Sequence, residues 1–178
     1  MAKVRKVGIM IGSDSDLPQC LRGLKYLREV EKEGLVEVKI FKTSSFHRNQ
    51  DESRETIKNW LGKIDAWILG AGHANHLTGS LEAYARYVLN DIKTTFIGVA
   101  FEADQSELNR AAILSITCVP GTQVVFNDFI GEMGFLEACA FAVNGEFPEI
   151  KKPESRSTVD RSLEEAIEDA EKKLKEQQ

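Results

Sequence analysis

The sequence predicts an α/β fold, a mostly parallel sheet with helices on both faces. Three observations lead there. Short apolar runs alternate along the chain with longer segments of helical periodicity. Several of the runs are almost continuously apolar, as strands buried on both faces are. The chain, 178 residues and 19.9 kDa, suffices for one domain with a substantial core and is short for two.

The elements follow in order. Residues 6–12 (KVGIMIG) form an apolar run closed by glycine, a buried first strand feeding a tight turn. Residues 17–33 read as a helix: Leu17, Leu21, Leu24, Leu27 and Val30 make one apolar stripe, Pro18 suits the first turn and Gly34 the C-terminal stop. Residues 36–42 (VEVKIFK) alternate, which places a half-buried strand toward a sheet edge, with 43–49 as its exit loop. A helix over 50–61 leads to the third strand, 66–70 (AWILG), then to a loop rich in small residues, 71–79, and a helix over 80–89. Residues 94–101 (TTFIGVAF) are a fourth strand and 106–114 a helix; 116–119, before Pro120 and Gly121, is a fifth candidate strand. Residues 123–143 carry few breakers and predict one long helix. Residues 148–157 are a polar linker. Residues 158–178 read as a charged helix whose thin stripe, Leu163, Ala166, Ile167, Ala170 and Leu174, must rest on its own core or on a neighbouring chain. The division is thus a domain over 1–147 and a linker with terminal helix over 148–178.

Composition narrows the function. Hydrophobic residues at 42% and charged residues at 29% exclude a disordered or collagen-like chain, and no apolar run nears the ~20 residues of a membrane-spanning helix. Met1 to Arg5 is basic, but the apolar stretch 7–11 is too short for a secretory leader, so the expectation is a cytoplasmic protein. A net charge of −5 argues against a broad basic surface for nucleic acid, while a local positive pocket can still hold a small anion. Cys20, Cys118 and Cys139 are far apart, odd in number and without metal-ligand spacing; they read as reduced, mostly buried thiols.

In open parallel sheets ligands bind beyond the C-terminal strand ends, so the loops after the strands hold the candidate chemistry. After the first strand, Gly12-Ser13-Asp14-Ser15-Asp16 packs hydroxyls and carboxylates into a turn that opens a helix. Ser15 or Asp16 can cap that helix; alternatively, hydroxyls and free N–H groups hold a phosphate while a carboxylate accepts from a ribose hydroxyl. After the second strand, Ser45-Phe46-His47-Arg48 offers either a plain surface loop or a guanidinium and hydroxyl grip on phosphate beside an imidazole able to move protons near neutral pH. After the third, residues 70–79 (GAGHANHLTG) combine small residues that admit close ligand approach with two imidazoles. The histidine spacing fits no zinc motif, and neither a dinucleotide nor a triphosphate glycine pattern occurs, so no metal or cofactor is expected.

Taken together and in this order, GSDSD at 12–16, SFHR at 45–48 and GAGHANHLTG at 70–79 resemble the PurE family, the carboxyaminoimidazole ribonucleotide mutases and aminoimidazole ribonucleotide carboxylases of purine biosynthesis. The family patterns are GSxSD, SAHR and GAGxxAHLPG; residues 114–125 (LSITCVPGTQVV) are similar to a fourth, LSIxxMPGGxPV. The resemblance implies a three-layer αβα sandwich with a flavodoxin-like parallel sheet, and an octameric assembly whose C-terminal helices reach onto neighbours. It implies that Ser15, Ser45 and Arg48 hold a 5′-phosphate, that Asp16 holds the ribose hydroxyls, and that Ser13 with Gly72, His73, Asn75 and Leu77 surrounds the ring and its carboxylate. His47 is then the acid/base and His76 lines the carboxylate pocket. The implied reaction moves a carboxylate from the exocyclic nitrogen to carbon 4 of the ring through transient CO2, without metal or cofactor.

The chain departs from the residues usual in the family at Phe46, which replaces alanine, His73, which replaces a glycine, Asn75, which replaces alanine, Thr78, which replaces proline, and Ser80, which replaces methionine, with further departures at Thr122 and Val124, and the departures concentrate where the carboxylate would lie. Three other readings stay open on the residues alone: a direct CO2-dependent carboxylase, a PurE-like ribonucleotide-binding protein with altered substrate or no catalysis, and a flavodoxin-like carrier of flavin mononucleotide.

Overall fold

The computed structural model describes residues 4–177; most of the basic N-terminal segment and the last residue of the expected terminal helix, Gln178, lie outside them. Four parallel strands, β1 (Arg5–Ile11), β2 (Val36–Thr43), β3 (Ala66–Ala71) and β4 (Thr95–Ala100), pair in the order β2-β1-β3-β4. Six α-helices accompany them among the described residues: α1 (Leu17–Lys32), α2 (Gln50–Asn59), α3 (His76–Ala83), α4 (Ser106–Thr117), α5 (Gly131–Asn144) and α6 (Leu163–Glu176).

Strand alternation sorts the core into two layers. Val7, Ile9 and Ile11 of β1 face a cluster with Cys20 and Leu27 of α1 and Phe135, Ala138, Cys139 and Ala142 of α5. Met10 faces the other side, with Ile57 of α2 and Leu77 and Leu81 of α3, while Ala112 and Ile116 seat α4 beside Ala100. The result is the expected three-layer sandwich. The first layer closes tightly at Gly23, where an added Cβ would stand 2.5 Å from Phe135 and 2.9 Å from Cys139 Sγ. Phe135 is fully buried and its ring centroid lies 5.9 Å from that of Phe101; such burial contributes about 1.5–3 kcal/mol for each large side chain.

The structure corrects four sequence expectations. The buried face of α1 is Cys20, Gly23 and Leu27, with Leu24 and Val30 of the expected stripe packed partly buried beside it, whereas Leu17 and Leu21 are 38% and 50% exposed. Residues 116–119 are not a strand: α4 runs to Thr117, and the position beside β4 is taken by 125–130, held through Gly98 N–H to Val125 O (2.9 Å) and Ala100 N–H to Phe129 O (2.9 Å). That pairing holds the chain in an irregular path that bends at Asn127 and Asp128, so the expected helix over 123–143 begins only at Gly131. The helix expected over 80–89 starts earlier, at His76, and ends in a π-turn over Tyr84–Val88.

Below the sheet, opposite the strand C-termini, Arg86 is 1% exposed. It donates to Glu82 Oε1 (3.0 Å), Asp91 O (2.8 Å) and Thr94 O (2.8 Å), and its guanidinium lies 5.0 Å from the Phe96 ring centroid. Burial pushes the Glu82 carboxyl up and the Arg86 guanidinium down, each opposed by the attraction between them. Cys20 and Cys139 are buried, with burial pushing the Cys20 thiol up to about 12, and Cys118 is exposed. Helix α6 opens on a capping box between Ser162 and Glu165 and buries no side chain among the described residues: Leu163, Ile167 and Leu174 are exposed. Among the described residues no helix is long and apolar enough to cross a membrane.

Candidate functional site

Parallel strands deliver their exit loops to one edge of the sheet, and the main chain binds these loops at their roots. Gly12 N–H donates to Gly70 O (2.9 Å), Ser44 N–H to Ile11 O (2.8 Å) and Phe101 N–H to Ala71 O (3.1 Å). The four loops enclose one cleft of roughly 630 Å³. Every candidate residue of the sequence reading lines it except Asn75: Ser13, Ser15, Asp16, Ser45, His47, Arg48, Gly72, His73, His76 and Leu77 share its walls.

In the loop after β1 the capping question resolves on Ser13. Its Oγ accepts from Ser15 N–H (3.3 Å) and the Ser15 hydroxyl (2.8 Å), closing a 3-10 turn over Asp14–Asp16. Asp16 occupies the N-cap position of α1 yet makes no side-chain cap bond, so its carboxylate is available to the cleft. It is slotted between two glycines: a Cβ on Gly12 would stand 3.9 Å from Oδ2, and one on Gly72 3.9 Å from Oδ1. Burial raises the Asp16 carboxyl above the ordinary carboxylate value, opposed by the Ser13 backbone N–H and by the attraction of His73.

After β2, Arg48 N–H (3.0 Å) and Asn49 N–H (2.7 Å) both donate to Ser45 O, a tight turn that opens α2. Phe46 stands where the family pattern has alanine; it plugs into the core, 8% exposed, among Met10 and Leu77, and this anchor leaves His47 and Arg48 exposed on the cleft wall. After β3, the chain passes Gly72 and takes a left-handed conformation at His73, φ 53°. His76 opens α3 at the surface and Leu77, 2% exposed, lies beneath it.

Asn75 is the correction. It is fully buried and both ends of its amide are engaged: Oδ1 accepts from Thr78 N–H (3.1 Å) to cap α3, and Nδ2 donates to Val99 O (3.0 Å). Thr78 donates to Leu69 O (3.0 Å). Two departures from the family pattern therefore pin α3 to β3 and β4 rather than meet a ligand.

The fourth wall, Glu102, Ala103, Asp104, Gln105 and Leu108, was missed by sequence reasoning. Two amides hold it. Gln19 of α1 donates to Glu102 O (3.0 Å) and accepts from Glu102 N–H (2.9 Å); Asn109 of α4 donates to Ala103 O (3.1 Å) and accepts from Ala103 N–H (2.7 Å). The available signal was position alone, directly after a predicted strand. The sheet order now sets the order of charge: the Arg48 end and the Glu102 and Asp104 end are three strand spacings, about 14 Å, apart.

Fold and site define an α/β protein with a flavodoxin-like strand order, whose strand-end cleft has a guanidinium at one end and carboxylates at the other. The model of the AIR carboxylase family matches residues 6–172, and the chain belongs to that family. A curated relative, the N5-carboxyaminoimidazole ribonucleotide mutase of Pyrococcus abyssi (strain GE5 / Orsay), is 39% identical over 79 residues, which cover 44% of this chain and 42% of that relative. The chain thus matches less than half the length of that relative. The crystal structure of Treponema denticola PurE shares the fold, with a TM-score of 0.53 and 16% identity over 96% of this chain and 94% of that one.

Proposed function

We propose that the cleft binds an aminoimidazole ribonucleotide and moves a carboxylate from its exocyclic nitrogen to ring carbon 4, as the name of the curated relative describes for that protein. The observation that carries this reading is the convergence of Asp16, Arg48 and His76 from three separate loops on one cleft. Ser15, Ser45 and Arg48 hold the phosphate, with Arg48 able to make paired charge-assisted bonds. Asp16, fixed between Gly12 and Gly72, accepts from the ribose hydroxyls, and the ring lies along Gly72, His73, His76 and Leu77.

The chemistry needs a proton to move and CO2 to stay. The carbamate N–C bond breaks, the nitrogen takes a proton, and CO2 is held beside the ring, where confinement raises its effective concentration. Carbon 4 forms the new C–C bond, and a base removes its proton to restore the aromatic ring. His47 can give the first proton and recover the last, so the cycle closes without net change. The exposed stripe of α6 engages neighbouring copies in a homo-oligomer, the octamer implied by the resemblance; a monomer on a sizing column at micromolar concentration would contradict this.

The test has two arms: turnover of N5-carboxyaminoimidazole ribonucleotide, and turnover of aminoimidazole ribonucleotide with bicarbonate. Activity in the first arm at low bicarbonate supports the mutase; activity only in the second identifies a direct carboxylase; binding without turnover overturns catalysis. A His47→Asn variant as fast as the parent would remove His47 from the mechanism.

A further inference from the structure

His73 stands where a glycine is usual in the family, and its backbone shows why glycine would be easier. Its φ is 53°, a left-handed conformation that a side chain resists and glycine adopts freely. The other non-glycine residues at positive φ among those described are Asn90 and Asp128, neither of which lines the cleft. A side chain held in a strained backbone on a cleft wall is an observation from which function can be inferred.

Charge says what that side chain does. With imidazoles neutral, the cleft walls carry one guanidinium, Arg48, against three carboxylates, Asp16, Glu102 and Asp104, a formal −2. A phosphomonoester ligand adds negative charge at the Arg48 end, and a ring carboxylate adds more at the far end, among the acidic residues. An imidazole that became a cation there would offset that repulsion. His47 already carries the proton cycle proposed above, and His76 sits in the first turn of α3, where the helix dipole disfavours a cation. His73 lies outside any helix, exposed, between Gly72 and Ala74, and is attracted by Asp16.

We propose that His73 takes up a proton to hold the carboxylate of the carboxylated ribonucleotide, so that this ligand, unlike the uncarboxylated one, binds with proton uptake. The inference rests on the ribonucleotide reading above. A group that gains a proton on binding gives full affinity at acid pH and loses it as pH rises through the imidazole range, by up to tenfold per pH unit.

The test is titration calorimetry between pH 6 and 8.5, in buffers of different ionisation heat, on a His47→Asn background that blocks turnover. The ligands are 4-carboxy-5-aminoimidazole ribonucleotide and aminoimidazole ribonucleotide. The expected result is about one more proton taken up by the carboxylated ligand. Adding His73→Gly or His73→Asn, which both accept a left-handed backbone and cannot become cations, removes that proton and lowers the preference for the carboxylated ligand at pH 6 by at least about tenfold. Both variants melt at or above the background protein. If neither ligand binds that background, the ribonucleotide reading falls and this inference with it. If both bind, and proton uptake and preference survive both substitutions, the role of His73 alone is overturned.

Discussion

Replacing Arg86 with methionine tests how the sheet is closed at the end away from the cleft. The substitution removes the three hydrogen bonds to Glu82, Asp91 and Thr94 and the guanidinium over Phe96 while roughly keeping the length of the aliphatic stem. Two carbonyls in buried residues, 8% and 4% exposed, lose their donors, and each orphaned acceptor costs about 1–3 kcal/mol. Glu82, 1% exposed, loses its cation, and removing one partner of a buried pair costs about 3–5 kcal/mol. These overlap, so the expected loss is about 3–5 kcal/mol, a fall in Tm of roughly 6–20 °C for a chain of this size. Burial already raises the Glu82 carboxyl, and without Arg86 it rises further. A raised folded-state pKa gives stability that is present below the unfolded value and lost as pH rises through the folded one. The deficit is therefore smallest in acid and grows toward neutrality. Urea unfolding at pH 4 and pH 7.5 measures it; a loss under about 1 kcal/mol at pH 7.5, or a deficit that shrinks as pH rises, would refute the reasoning.

Other perturbations address the cleft and the core. On the ribonucleotide reading, Arg48→Ala weakens binding of the ribonucleotide by roughly 10–100-fold and leaves that of the nucleoside without phosphate unchanged, which competition titration would show. Asp16→Asn raises Tm at pH 7, because burial penalises the ionised carboxylate, and the gain disappears below pH 3.8, where the unfolded acid is also protonated. A variant no more stable at pH 7 would mean that Ser13 and His73 fully offset burial. Gly8→Ala places a Cβ 2.6 Å from the Trp67 ring, which is 1% exposed and cannot retreat; overpacking of this kind costs about 1–3 kcal/mol, and an unchanged urea midpoint would show that the sheet yields there.

The sheet was legible because its strands are local and apolar: the expected spans of β1 to β4 differ from the observed ones by a residue at most ends. The misreadings share a cause in tertiary contacts. The buried face of α1 runs through Gly23, which has no side chain to mark it, because α5 approaches close enough to need a glycine there. Residues 123–130 carry weak local signals, β-branched Val124 and Val125 and turn-forming Asn127 and Asp128; what fixes their path is pairing with Phe96, Gly98 and Ala100, partners outside the segment.

The candidate site divides in the same way. Three walls are contiguous loop motifs, so their residues can be named from sequence. Within them, residue type does not separate a group that faces a ligand from one that supports the loop. Asn75 and His73 both depart from the residues usual in the family in the same loop; one is swallowed as the cap of α3 and the other is left on the wall, and only the path of the backbone through φ 53° separates them. The fourth wall has no motif because amides from α1 and α4 grip its main chain, and a main-chain grip places no demand on the residues gripped. The main chain at Glu102 and Ala103 is held independently of the side chain that Glu102 carries, which suits this wall to tuning what the far end of the cleft accepts.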